Sequence, residues 1–239
     1  MIYLPSQRAV FIHNPKCAGT SMVMALEHLF EDAKKYWGRA YLPAHDTVRD
    51  LAHIKVSELH AFLTPDQPVD FTFGVVRDPY TRFVSSLKHF RTYSGCDPKI
   101  TPEAFAERYL NHTLLRHDWR LAHFAPQYCF FFDRQRCVVD LIGRMESMDD
   151  FLTQLSRRLG PGVYLNKENV GVADAIELSD DMIATVNHFY ARDFAYFGYA
   201  VRTPAAGAKV LGDRDLYGAF EELWPEERCL EAKEMTKID

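Results

Sequence analysis

The stretch Phe11-Ile-His-Asn-Pro-Lys-Cys-Ala-Gly-Thr-Ser-Met22 constrains the fold more than any other part of the chain. The apolar run 9–13 stops at Asn14-Pro15, which reads as a buried strand closed by a turn. Past the turn, Met22, Leu26 and Leu29 recur at helical spacing. A strand that enters a tight turn and leaves as a helix aims backbone N–H groups at one spot, and the helix dipole adds to their attraction for anions. Gly19 permits close approach of the backbone, Lys16 brings a point charge, and Thr20 and Ser21 bring hydroxyl donors. The same residues also suit an ordinary strand-to-helix turn with a solvated lysine. They do not form the G-x-x-x-x-G-K-S/T nucleotide loop, in which the lysine follows the glycine beside a magnesium-binding hydroxyl. Here Lys16 precedes Gly19.

A second strand is expected at 70–76, and Asp78-Pro79 directly after it combines a good N-cap with the residue favoured at the first helical position. Phe83, Val84, Leu87 and Phe90 make an apolar helix face, while Arg82, Ser85 and His89 share another. Strand, helical crossover and strand imply a βαβ unit, hence an α/β fold with a central parallel sheet flanked by helices. Arg77 at a strand end and Ser85 on the next helix can converge on one anion at the edge where open α/β sheets bind ligands. A capped helix with an internal ion pair accounts for the same stretch equally well. Elsewhere the pattern predicts a helical piece at 46–54, strands at 128–132 and 137–143, and helices beginning at the capping-box-like Ser147 and at Ser179.

Composition narrows the classes. A formal net charge of −5 argues against a general nucleic-acid binder but leaves room for a local basic pocket. Five cysteines, an odd number with no C-x-x-C pair, suit reduced thiols in a cytoplasmic protein rather than a zinc framework. No apolar run is long enough to span a bilayer, so no transmembrane segment is expected. Glutamates 221, 222, 226, 227, 231 and 234 mark a change of composition, which divides the chain into a domain at 1–203 and an acidic helical extension at 204–239.

Taken together, the two anion-suited stretches resemble the sulfotransferases that use 3′-phosphoadenosine 5′-phosphosulfate (PAPS), specifically the carbohydrate-type family 2. Those enzymes carry a P-K-T-A-G-T-S-like loop for the 5′-phosphosulfate and an R-N/D-P-x-x-R-x-x-S-like stretch for the 3′-phosphate. The segments 123–127, 141–151, 165–171 and 190–199 fit the same family in the same order. The resemblance implies a P-loop-like sulfotransferase fold and sulfuryl transfer from PAPS, without a metal, to a hydroxyl of a glycan or glycolipid. It implies that Lys16, Cys17, Ala18, Gly19, Thr20 and Ser21 surround the phosphosulfate and that Arg77 and Ser85 hold the 3′-phosphate. Lys16 is expected at the bridging oxygen of the breaking bond, where negative charge develops. The base is expected to be His45, with His53 and His60 in the same segment as the other candidates. His123 and Gln127 line the acceptor cleft or fix the chain that follows them. Glu146 falls beside the nucleotide loop, and Asn166, Lys167 and Asn169 approach the nucleotide. Cys17 stands where the family commonly has Thr, and the helix start and Lys16 are expected to lower its pKa. The competing functions are a small-molecule kinase and a non-catalytic nucleotide-binding protein.

Overall fold

The computed structural model describes residues 1–42, 47–92, 96–117, 119–133, 135–165, 176–212 and 236–237. In chain order these form β1 (Ile2–Leu4), β2 (Ala9–Ile12), α1 (Gly19–Leu29), β3 (Lys34–Lys35), β4 (Arg39–Leu42), β5 (Thr47–Asp50), β6 (Phe71–Val76), α2 (Pro79–Phe90), α3 (Pro102–Tyr109), α4 (His112–His117), α5 (Tyr128–Phe131), β7 (Phe132–Asp133), β8 (Arg136–Cys137), β9 (Leu141–Arg144), α6 (Met148–Leu159), α7 (Asp180–Phe189), α8 (Ala191–Phe197) and β10 (Thr236–Lys237). None of the described helices is long and apolar enough to cross a membrane.

The central sheet has the order β3-β1-β2-β6-β9. β2, β6 and β9 run parallel, with Ile12 opposite Gly74 and Val76 opposite Arg144. β1 is antiparallel to both its neighbours. Every residue of β2 and β6 is buried, because helices or packed loops cover both faces, and this explains why β2 reads as an unbroken apolar run and β6 as one interrupted only by Thr72 and Gly74. On one face, Met22, Val23 and Leu26 of α1 and Phe151 and Leu155 of α6 pack with Phe11 and Phe73. On the other lie Leu51, Ile54, Phe130 and Phe131. The parallel register brings the loops leaving β2 and β6 out side by side at the carboxyl edge of the sheet. The chain beyond 203 first runs as an irregular strap along α7, with Asp180 accepting from the N–H of Ala205 at 2.9 Å and Asp181 from that of Lys209 at 2.7 Å. Residues 213–235 of the expected acidic extension lie outside the described residues.

Three expected elements differ. The helical piece at 46–54 is strand β5 followed by a single 3-10 turn at Leu51–His53. Pairing of β5 with β4 takes its backbone groups, and the Asp50 carboxylate caps the turn by accepting from the Ala52 N–H at 2.9 Å. The run 128–132 is mostly helix α5 rather than strand. Its entry is captured by Asp193, whose two carboxylate oxygens accept from the N–H groups of Gln127 (2.8 Å) and Tyr128 (2.9 Å). Those donors are then lost to any ladder. The run 137–143 is split, because Asp140 ties itself to β6 through its side chain, accepting from the Thr72 N–H at 2.7 Å and hydroxyl at 2.8 Å. Regular pairing starts only at Leu141. α6 does begin after Ser147, but without the side-chain cap that the capping-box pattern implies.

Asp193 is fully buried, and burial lifts its carboxyl to about 6 against the hydrogen bonds from the Tyr128 and Gln127 N–H groups and the weaker attraction of Arg82. Removing it leaves the buried N–H groups of Gln127 and Tyr128 without their acceptor. Asp193→Ala should therefore lose about 3 kcal/mol or more of unfolding free energy, read as a lower urea midpoint at unchanged slope. A loss below about 1 kcal/mol, the range of an ordinary surface change, would contradict this account of α5.

Candidate active site

The loop after β2 adopts a strained conformation. Lys16 and Ala18 both have positive φ, +64° and +57°, while Cys17 between them does not. Alternation of hand along three residues turns successive N–H groups to one concave side, the nest geometry that binds anions. Each left-handed non-glycine residue costs about 1–2 kcal/mol, so the surroundings must hold the loop. Asn14 Nδ2 lies 3.0 Å from both the Val75 carbonyl and Gln127 Oε1. Gln127 Oε1 also accepts from the Arg77 N–H at 2.9 Å, and its Nε2 donates to the Arg77 carbonyl at 2.8 Å. Gln127 is fully buried, so it braces the two strand-end loops instead of lining an acceptor cleft. Arg82, buried on α2, donates from Nε to the Pro15 carbonyl (3.0 Å) and from Nη1 to the Ala125 carbonyl (2.9 Å). The turn is held from three sides by side chains that never reach solvent.

Two cations stand on this frame. Lys16 is half-buried, and its pKa is lowered first by desolvation and then by Arg77. Arg77 donates to the Lys16 carbonyl at 3.3 Å and to the Thr81 hydroxyl at 3.1 Å. Among the described residues, no carboxylate ion-pairs with either. Two like charges held together beside an N–H nest favour an incoming anion. Ser21 is half-buried and Thr20 exposed in the first turn of α1, and Ser85 is half-buried on α2. Glu146 accepts from the Asp78 N–H at 2.7 Å and the Tyr199 hydroxyl at 2.9 Å, which steadies the start of α2. The expectation for Cys17 is corrected: its thiol is 1% exposed, and burial pushes its pKa up to about 12, outweighing the nearby arginines. It is a protonated packing residue.

Beside the loop lies a chain of imidazoles. The His13 ring rests on Gly19, where an added Cβ would sit 1.9 Å from it, so the glycine makes room for this ring. His53 Nδ1 is 3.0 Å from the His13 carbonyl, and its Nε2 is 3.1 Å from His123 Nε2. The His89 ring centroid is 4.4 Å from that of His123. Burial lowers the pKa of all four, His53 to about 4, and the Lys16 charge lowers His13, His89 and His123 further. All are neutral at neutral pH. His60 is exposed, and His45 lies outside the described residues, as do Asn166, Lys167 and Asn169. Sequence reasoning passed over His13 and set His53 aside. The one available signal was His89, which shares a helix face with Arg82.

A mostly parallel α/β sheet whose strand ends carry a cationic N–H nest defines a protein built to hold an anion. The model of the sulfotransferase family matches residues 1–200, and the chain belongs to that family. No curated protein and no solved structure matches the chain.

Two outcomes follow from the geometry. Gly19→Ala should displace the His13 ring and cost about 1–3 kcal/mol by overpacking, seen in thermal unfolding. Unchanged stability would contradict the contact. The second outcome concerns pH. A histidine whose folded pKa lies below its ordinary 6.5 binds fewer protons folded than unfolded. Its contribution is full above that value and is lost as pH falls, down to about 4 for His53. Asp193, raised from 3.8 to about 6, opposes the loss. Three strongly shifted histidines (His13, His53 and His123) outweigh one carboxyl, so the urea midpoint should fall between about pH 7 and pH 5. A midpoint that rises over this interval would contradict the neutral cluster.

Proposed function

We propose that the chain transfers a sulfuryl group from PAPS to a hydroxyl, with a glycan or glycolipid as acceptor. The observation that carries this reading is the pair Lys16 and Arg77, two cations with no carboxylate partner among the described residues, on a nest of backbone N–H groups. Membership of the sulfotransferase family supports sulfuryl transfer, and PAPS is the donor such enzymes generally use. The N–H groups of the loop with Thr20 and Ser21 then hold the phosphosulfate, and Arg77 with Ser85 holds the 3′-phosphate. Lys16 meets the charge that grows on the bridging oxygen as the bond to sulfur breaks. A kinase reading is weaker, because Lys16 stands before the turn and is followed directly by Cys17 instead of a magnesium-binding hydroxyl.

The acceptor hydroxyl must lose its proton during attack. We assign this to His123, a neutral imidazole that feels the Lys16 charge. His45 is the competing base on sequence grounds. His123 is a weak base in the free protein, since burial, its histidine neighbours and nearby cations disfavour its protonated form. Bound donor, which brings several negative charges, raises its pKa towards the working pH.

Arg77→Ala should weaken binding of PAP, the desulfated product, by roughly 10- to 150-fold, and weaken adenosine 5′-phosphosulfate, which lacks the 3′-phosphate, much less. Equal losses in titration calorimetry would remove Arg77 from the 3′-phosphate. Lys16→Ala should lower kcat more than PAP affinity, and poor binding with normal turnover at saturating donor would reduce Lys16 to a binding residue. Of His123→Ala and His45→Ala, the variant lacking the base should lose about 10²–10⁴ in rate with PAP binding intact. We expect this of His123→Ala.

A further inference from the structure

We propose that His53 is a positioning residue, which fixes His123 in the tautomer that carries its proton on Nε2 and its basic lone pair on Nδ1. His53 Nδ1 lies 3.0 Å from the carbonyl oxygen of His13. A carbonyl oxygen only accepts, so His53 Nδ1 carries a hydrogen. A neutral imidazole has one N–H, so His53 Nε2 is an acceptor. His123 Nε2 lies 3.1 Å from it, and two lone pairs at that distance would repel. His123 Nε2 is therefore the donor, and its lone pair resides on Nδ1. The direction of the histidine chain is set by one main-chain carbonyl, that of His13 directly after β2.

The rings are held to this arrangement. His53 packs edge-on against His13 with ring centroids 4.6 Å apart, and against His123 at 5.0 Å. The charged groups facing His53 among the described residues are Asp50, whose Oδ2 is 3.9 Å from Nε2, and Arg82, and the pKa of the Met1 amino group beside them is lowered to about 5 by burial. Those facing His123 are Lys16 and Arg82, with His53 and His89 as its titratable neighbours. Burial keeps His53 neutral at neutral pH, as the tautomer argument requires.

The tautomer itself does not depend on what the protein catalyses, whereas its consequence rests on the sulfuryl-transfer reading. In that reaction the acceptor oxygen forms a bond to sulfur while its proton passes to His123 Nδ1. The bond from sulfur to the bridging oxygen breaks, and its electron pair stays on the 5′-phosphate of PAP, opposite Lys16. His123 becomes an imidazolium with two N–H groups. The one on Nε2 already points at the His53 lone pair, so the new cation is stabilised without rearrangement.

The test begins with long-range ¹H–¹⁵N correlation spectra of the full chain near neutral pH. His123 and His53 signals are assigned from His123→Gln and His53→Gln. We expect a protonated-type shift at Nε2 and an unprotonated-type shift at Nδ1 for His123, and the reverse for His53. The opposite pattern, or averaged shifts, overturns the proposal whether or not the chain transfers sulfate. Variants then separate positioning from packing. His53→Gln can place an amide oxygen where Nε2 was, whereas His53→Asn replaces only the Nδ1 side. His53→Asn should lower kcat by about 10–100-fold with PAP affinity unchanged, and His53→Gln should restore most of it. Equal activity of the two variants, or a loss that tracks PAP affinity, overturns the positioning role. If no acceptor is sulfated by the wild type, the functional reading fails while the spectra still decide the tautomer.

Discussion

The site depends on the side chain of Gln127. Its Oε1 takes Asn14 and the Arg77 N–H, and its Nε2 takes the Arg77 carbonyl, so one buried amide joins the loops leaving β2 and β6. Without that brace, two left-handed non-glycine residues in a row of three would relax, since each is disfavoured by about 1–2 kcal/mol. Asp193 stands one step behind, fixing the backbone from which the Gln127 side chain springs. The strain of the nest is thus offset by hydrogen bonds made deep in the fold rather than at the surface. This is the condition for a loop that keeps its N–H groups aimed at a ligand before the ligand arrives.

The electrostatics follow from the same frame. Lys16 and Arg77 are pressed together by the loop and the strand end, and Arg77 adds to the desolvation that disfavours charge on Lys16, yet no described carboxylate pairs with them. That arrangement is unfavourable until an anion enters. Next to it the imidazoles stay neutral, because burial and Lys16 both oppose their protonation. A site that is cationic on one side and carries neutral bases on the other matches what transfer of an anionic group to a hydroxyl demands: stabilised leaving charge and a base able to take one proton.

How much of this was legible in the sequence depended on how local each interaction is. The strand-turn-helix at 9–29 and the Asp78-Pro79 helix start are written in neighbouring residues, and both form as the pattern implies. The run 128–132 has the composition of a strand, yet its first donors are taken by Asp193, 66 and 65 positions away, so nothing within the run announces the helix. The histidine chain spans separations of 40 and 70 residues and is assembled only by the sheet. Gly19 shows the same limit. Its presence in the loop was plain, but its neighbour is the His13 ring, a contact that only the fold creates. The base could not be singled out among several histidines, because what distinguishes them is which strand end they face.

The central claim is that the nest with Lys16 and Arg77 is a site for an adenosine 3′,5′-bisphosphate. The most direct measurement is calorimetric titration of the full chain with PAP, with chelator present, beside titration with ATP and magnesium. The account predicts saturable one-to-one binding of PAP, tighter than that of ATP with magnesium. Tight binding of magnesium–ATP with none of PAP would contradict it and return the site to the kinase reading.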